Sequence, residues 1–355
     1  MKKKLLSLTL ALAMSLGLLA GCSGGEPEGS SAPPETTPPA ETTAAQPTES
    51  PETETVRMAV LNGPTGVGAA KLMADSEAGT TAQAYDVEVY TDNSQVSAAL
   101  TNGDVDIAAM ASNVAANLYN KSGGGIQLIS VSGLGVLYIL ENGESVDTMA
   151  DLEGRTLYAT GQGANPEYVL NYLLTENGVD PADVDIQWRT AQEVSALMAT
   201  GEAELCMLPV PAATSVLVQN DGVREALDLS AEWDALDNGS RLTMTTIVAR
   251  TDFIQEHPQA VETFLSDYAA SVAFMTGEES PAEGEAGPAQ LAAQYGFVAS
   301  EAVAEAAIPK CALTCITGVN DMRRAIQGYY EVLYQAAPDS IGGAVPDDGF
   351  YYEAA

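Results

Sequence analysis

The stretch 155–174, RTLYATGQGANPEYVLNYLL, sets a glycine loop, Gly161-Gln162-Gly163-Ala164-Asn165, at the end of a short apolar strand expected over 156–160. Pro166 then opens an amphipathic segment in which Val169, Leu170, Leu173 and Leu174 share one face, the pattern of a helix. Glycines let the backbone turn sharply and approach a guest molecule closely. The unpaired N–H groups of the following helix point beyond the carboxyl end of the strand. The chemistry on offer is hydrogen bonding to something small. In open α/β sheets such contacts come from loops at the carboxyl ends of strands. That rule singles out Asn62, Gly63, Pro64 and Thr65, then Ser112 and Asn113, then Gly133 before the strand 136–140. In the second half of the chain it singles out Thr160, Gly161, Gly163, Ala164 and Asn165, then Pro209 and Pro211. Each also has a purely structural use, as a turn glycine, a helix cap or a strand terminator.

These loops carry no Asp, Glu, His, Cys, Lys or Arg. No nucleophile–base or acid–base pair can be assembled from them, so no catalytic residue and no cofactor is expected. The sole histidine, His257, precedes Pro258 and reads as a helix-boundary residue. A metal site would need more His or Cys than the chain has, and none is expected. Without Arg or Lys, an anion would depend on helix starts and on hydroxyl and amide donors. A neutral polar or heteroaromatic solute fits at least as well, with Tyr138, Tyr168 and Trp188 as candidate platforms that could equally be core.

The elements that must position these loops occur twice. Shifted by 98 positions, residues 57–113 lie on 155–211 without a gap, Arg57 on Arg155, Gly63 on Gly161, Val96-Ser97-Ala98 on Val194-Ser195-Ala196 and Gly103 on Gly201. Identities are few, but the element types stay in phase: strand, glycine loop, helix, alternating strand, short helix ending in glycine, third strand. Two βαβαβ lobes are the economical reading, with parallel strands because the connections are helical. The segment 241–250, RLTMTTIVAR, alternates as a strand that returns the chain to the first lobe, and helices are expected over 258–275, 287–295, 300–308 and 320–335. The expected fold is α/β: two lobes, each a mostly parallel sheet flanked by helices, joined by a two-segment hinge near 138–143 and 243–249. Lobe 1 comprises 56–138 and 247–355, and lobe 2 comprises 139–246.

The ends of the chain address location. Residues 1–22 form a signal segment: Lys2-Lys3-Lys4, an apolar run, then Leu19-Ala20-Gly21-Cys22. Residues 23–55 are rich in Pro, Thr, Ser and Glu without Lys or Arg, a disordered tether. The formal charge of −35 falls to about −38 once the signal lysines leave, which excludes nucleic acid as a partner. Cys206 lies in an apolar strand, and Cys311 and Cys315 are either free thiols or a local disulfide.

The Leu-Ala-Gly-Cys ending, the acidic tether, TGQGANPEYVLNYLL, the Gly103 and Gly201 turns, LPVPAAT and EHPQAVETFL together resemble the solute-binding lipoproteins of ABC importers. The resemblance covers roughly 57–335 and is nearest to the nitrate, sulfonate, taurine and thiamine-precursor group with the type II periplasmic-binding fold. It implies a lipid on Cys22, a monomer anchored on the extracytoplasmic face of the cell membrane, and a permease and an ATPase as partners. Where that group often has Gly-Ser or Gly-Thr, this chain has Gly163-Ala164, which lacks the hydroxyl donor. Two alternatives stand beside it: a thiamine-pyrimidine-synthase-like enzyme, which the resemblance includes and which would use a histidine, and, apart from the resemblance, a surface lipoprotein with a protein partner.

Overall fold

The computed structural model of the chain describes residues 55–354; the signal segment, Cys22 and nearly all of the tether lie outside the described residues. The first half runs β1 (Thr55–Leu61), α1 (Pro64–Ala78), β2 (Ala84–Tyr90), α2 (Asn93–Asn102), β3 (Ile107–Ala111), α3 (Ser112–Ser122) and β4 (Ile126–Leu134). The second runs β5 (Leu137–Glu141), β6 (Thr156–Ala159), α4 (Asn165–Glu176), β7 (Asp185–Trp188), α5 (Ala191–Thr200), β8 (Leu205–Pro209), α6 (Ala212–Gln219), β9 (Arg224–Asp228) and α7 (Leu229–Ala235). The chain then returns through β10 (Thr243–Arg250), α8 (Thr251–Glu256), α9 (Pro258–Met275), α10 (Pro288–Gln294), α11 (Glu301–Ala307), β11 (Leu313–Ile316) and α12 (Val319–Ala336).

Two sheets form among the described residues, in the orders β11-β4-β10-β3-β1-β2 and β7-β6-β8-β5-β9. In each, three strands of the repeated unit run parallel, as helical crossovers require. The strand that follows each crossing between the sheets is then inserted antiparallel: β10 between β3 and β4, and β5 between β8 and β9. The repeat carries through in detail. The β1–β2 register begins Thr55↔Ala84 and the β6–β7 register Thr156↔Asp185, the same sequence separation. Helices α2 and α5 end in Gly103 and Gly201 at φ 77° and 74°, a left-handed cap that glycine adopts without strain.

The chain passes between sheets at Gly135-Val136 and again before Thr243. Both crossings fall a few residues earlier than the sequence suggested. β5 is paired along its whole length in the second sheet, and β10 along its whole length in the first. The lobe boundaries therefore sit near 135 and 242 instead of 138 and 246. Gly135 makes the first passage possible, since a Cβ there would stand 2.1 Å from Ser230 Oγ at the start of α7.

The helices bury the faces their periodicity foretells. On α12, Met322, Ile326, Tyr329, Tyr330 and Leu333 are buried along one stripe. α1 packs on α9 through small residues: Ser271 Oγ donates to the Gly68 carbonyl at 2.7 Å, and a Cβ on Gly68 would meet Tyr268 at 2.7 Å. After α12 the chain continues as a strap across α3. Its carbonyls accept from one face of that helix: Asn117 Nδ2 to Asp339 O, and Asn120 Nδ2 to Ile341 O and Ala344 O. The strap ends at β4, where Tyr352 N donates to the Leu128 carbonyl at 2.9 Å.

Candidate ligand-binding cleft

Among the described residues, two of the hollows open where helix starts from both sheets meet. The larger has a volume of about 810 Å³ and the smaller about 450 Å³. The 98-residue repeat relates them. The larger is built from the starts of α2 and α3 in the first copy and the glycine loop of the second: Asn93, Ser94 and Ser97, then Asn113 and Asn117, then Thr160 to Ala164. The smaller is built from the starts of α5 and α6 in the second copy and the loop of the first: Ala191, Gln192 and Ser195, then Pro211 and Ser215, then Asn62 to Pro64.

The expected site residues divide between the two. Asn113, Thr160, Gly161, Gly163 and Ala164 line the larger hollow, and Asn62, Gly63, Pro64, Pro209 and Pro211 the smaller. Four others line neither. Thr65 closes a local turn, its hydroxyl donating to the Leu61 carbonyl and accepting from the Leu61 N–H. Gly133 lies within β4, where a Cβ would stand 2.5 Å from Thr245 Oγ1; its glycine serves the packing of β4 on β10. Ser112 donates to the Thr243 carbonyl at 2.6 Å and is fully buried. It does not cap α3, since the N-cap position is Ala111 and no side chain caps that helix.

Asn165 is the fourth, and its amide is fully used inside the protein. Nδ2 donates to Ser112 Oγ at 3.0 Å and to the Met244 carbonyl at 2.6 Å. Oδ1 accepts from Asn113 N at 3.3 Å and from the Tyr329 hydroxyl at 2.8 Å. One side chain at the start of α4 thus bonds to α3, β10 and α12, all on the other sheet. It fastens the sheets together at the floor of the cleft and leaves nothing for a ligand.

Sequence reasoning missed several residues of the larger hollow: Thr91 and Asp92 in the β2–α2 turn, Asn93, Ser94 and Ser97 at the start of α2, Asn117 on α3, Arg189 and Thr190 in the β7–α5 turn, and Ser340 on the strap. The two turns follow the carboxyl ends of β2 and β7, so the rule that found the other loops would have found them. They matter because they carry charge. Asp92 caps α2 by accepting from Ser94 and Gln95, and those bonds hold its carboxyl below the ordinary value. Arg189 stands exposed, with Nη1 donating to the Trp188 carbonyl at 2.7 Å. Glu193 closes a capping box with Thr190, whose N–H and hydroxyl lower its carboxyl. Of the three aromatic platforms, Tyr168 lines the larger hollow, whereas Tyr138 is buried in β5 and Trp188 lies in β7. His257 joins α8 to α9, its ring 5.1 Å from that of Phe253, and lines neither hollow.

Asn113 and Ser340, which line the larger hollow, each bury a polar atom without a hydrogen-bond partner, Oδ1 and Oγ, the residues being only 1% and 3% exposed. Asn113 Nδ2 donates to the Ser340 carbonyl at 3.4 Å, so the two residues meet. Buried polar groups are normally paired, so these two are exceptions inside the protein. Among the described residues no group of His, Cys, Asp and Glu could hold a metal ion. Cys206, Cys311 and Cys315 are free thiols, and burial pushes Cys206 and Cys311 up to about 12.

Two mixed sheets that exchange a strand, with helix starts converging on the cleft between them, define the type II periplasmic-binding fold. The chain belongs to the NMT1/THI5-like family, whose model matches residues 84–282. No curated protein matches it in sequence. Among solved structures it is similar to an ABC transporter protein from Parabacteroides distasonis, with 22% identity, a TM-score of 0.68, and coverage of 85% of this chain and 99% of that one. It is also similar to the periplasmic aliphatic sulphonate-binding protein SsuA of Escherichia coli, with 15% identity, a TM-score of 0.67, and coverage of 85% and 93%. A third is the alkanesulfonate-binding SsuA of Xanthomonas axonopodis bound to MOPS, with 14% identity, a TM-score of 0.62, and coverage of 83% and 95%. At these identities the likeness establishes the fold.

Proposed function

We propose that the chain is the extracytoplasmic solute-binding component of an ABC importer. It captures a small polar solute in the larger hollow and delivers it to a membrane permease driven by an ATPase. The observation that carries this reading is a cavity of about 810 Å³, of ligand-site size, between two sheets, lined by the glycine loop 160–164 and by polar residues at the starts of α2 and α3. Two covalent crossings, at 135–136 and before 243, form a hinge about which the lobes close on the guest. The family and the solved relatives, several of them named as sulfonate-binding proteins, support the same role.

The signal segment and Cys22 make the protein a lipoprotein, and the tether 23–55 lets the two-lobe body work as a monomer near the membrane. The lining residues hold one carboxylate and one guanidinium, Asp92 and Arg189, and no nucleophile–base pair, so the role is capture without chemistry.

Thermal unfolding of the mature chain against a solute panel tests the reading. A true ligand at ~100 times its dissociation constant adds about 2.7 kcal/mol and raises the midpoint. Silence across sulfonates, nitrate, carboxylates, amides, amino acids and heterocycles, together with capture of a protein partner, would replace it with a surface-interaction role. Labelling with radioactive palmitate, abolished by Cys22→Ser, tests the anchor.

A further inference from the structure

Tyr168, on the lining of the larger hollow, also lines a hollow of about 520 Å³ between α4 and α12. Two stretches of chain run from one to the other. On α4, Ala164 and Tyr168 line the first, and Tyr168, Asn171, Tyr172 and Thr175 line the second at the spacing that keeps them on one helix face. Opposite them, Gln335, Ala336 and Ala337 lead from α12 into the strap, whose Ser340 returns to the larger hollow. From Tyr168 to Thr175 is seven residues of helix, ~10 Å. With both walls shared, the two hollows are consecutive parts of one trough.

The far part of the trough is rigid and accessible. Trp233, fully buried, packs its ring against Tyr172 at 4.9 Å and against Tyr329 at 5.4 Å, and Tyr329 donates to Asn165 at the head of α4. These contacts fix α4 against α12. Tyr168, Asn171 and Tyr172 are half-buried and Gln335 is exposed, so a solute reaches them. The Tyr172 hydroxyl accepts from Asn238 Nδ2 at 3.2 Å and keeps its own proton to donate. Among the described residues the side-chain amides of Asn171 and Gln335 bond to nothing, and the one charge on this lining is Glu176. Amides, hydroxyls and aromatic faces suit a neutral tail that both donates and accepts. An alkyl tail would strip water from the amides and return no hydrogen bond, and an anionic tail would meet Glu176. Resting on the solute-binding reading above, we propose that this part of the trough is a second subsite and that the solute is elongated. Its polar head sits in the larger hollow, and a neutral tail of hydroxyl or amide groups, as in a short oligosaccharide or oligopeptide, lies along α4.

The experiment is titration calorimetry of the intact mature chain with series that differ only in length: glucose, maltose and maltotriose; N-acetylglucosamine with its dimer and trimer; glycine, diglycine and triglycine. In at least one series binding is expected to tighten at least ~10-fold from one unit to three, the worth of one or two net hydrogen bonds. The sugar and peptide arms tell the two sources of such a tail apart. Ala336 is exposed on α12 and lines only the far part of the trough. Ala336→Trp narrows that part, and should cancel the gain with length while the thermal midpoint without solute stays unchanged. A series that binds with no gain in length, or a gain that survives Ala336→Trp, overturns the inference and leaves the cleft reading standing. If every series is silent the inference falls, and if the wider panel is silent as well the cleft reading falls with it.

Discussion

The two hollows are copies of one design, and they differ in the side chains that line them. Ser97 lines one and Ser195 the other, 98 residues apart, each with its hydroxyl bonded back to the carbonyl four residues earlier at 2.8 Å. Around this shared frame the chemistry diverges. Asn113 in the larger hollow stands where Pro211 stands in the smaller, and Asn117 where Ser215 stands. Proline brings no side-chain donor or acceptor. The larger hollow is also closed by the strap and its Ser340, the smaller by Phe297 and its neighbours between α10 and α11. A repeated fold supplies two equivalent openings, and asparagines in one copy against proline and serine in the other give their linings different chemistry.

The sharpest way to break this comparison is to fill each hollow at its equivalent serine. Ser97→Trp should lower solute affinity at least 100-fold, because the indole occupies the volume where the guest binds. Ser195→Trp should leave affinity within a factor of about two, and both variants should keep their stability within about 0.5 kcal/mol, as half-buried surface positions do. Calorimetry with the best panel ligand decides. The opposite ranking would move the site to the smaller hollow.

Much of this frame is legible in the sequence. The span of α9, the phase of the repeat, the glycine caps at Gly103 and Gly201 and the strand–loop–helix corners follow from periodicity and local backbone preference, which act over a few residues. What was hidden depends on contacts between distant segments. Asn165 looked like a ligand donor because it follows a glycine loop, yet its partners Ser112, Met244 and Tyr329 are 53 to 164 positions away. Ser340 carried no local signal at all, since only the docking of the strap on α3 brings it to the cleft. Gly133 looked like a loop residue because β4 runs on to Leu134 before the chain crosses over.

Asn165 gives the next largest effect. Asn165→Leu leaves the Tyr329 hydroxyl, the Met244 carbonyl and Asn113 N without partners in a buried place, and should destabilise the protein by about 3 kcal/mol in chemical denaturation. Asn113→Leu in the larger hollow should cost less, since Oδ1 has no partner to lose and Nδ2 only a long bond of 3.4 Å. If Asn165 were a ligand group instead, its replacement would spare stability and abolish binding.

The far ends of the two exchanged strands offer a smaller test. Arg250 on β10 bonds to Asp106, and Glu141 on β5 bonds to Arg224 at 2.6 Å. Burial pushes the Glu141 carboxyl up, but the Ser145 hydroxyl and N–H, the Val146 N–H and Arg224 outweigh it and hold it below the ordinary value. A carboxyl depressed in the folded state stabilises fully above its unfolded value, near ~4.3, and that contribution is lost as pH falls through the folded value. Glu141→Gln should therefore cost about 2 kcal/mol at pH 7, less than a fully buried pair because Arg224 is a third exposed. The gap between variant and wild type should close below pH ~4 in acid titrations of stability. A gap that stays constant with pH would mean that the carboxylate charge contributes nothing.

Gly342 should show the smallest effect on stability, and it bears most directly on why the hollows differ. Its φ is 79°, and a Cβ would stand 3.0 Å from Asn120 Cβ and 3.2 Å from the Asn117 backbone. Gly342→Ala thus combines left-handed strain with a contact that only movement of the strap relieves, at a cost of about 1 kcal/mol. The strap can yield by lifting from α3, which weakens the bonds from Asn117 and Asn120 and displaces Ser340 two residues upstream. If the strap shapes the wall of the larger hollow, solute affinity should fall several-fold beyond what the loss of stability explains. If the strap is packing alone, the thermal midpoint drops while affinity holds.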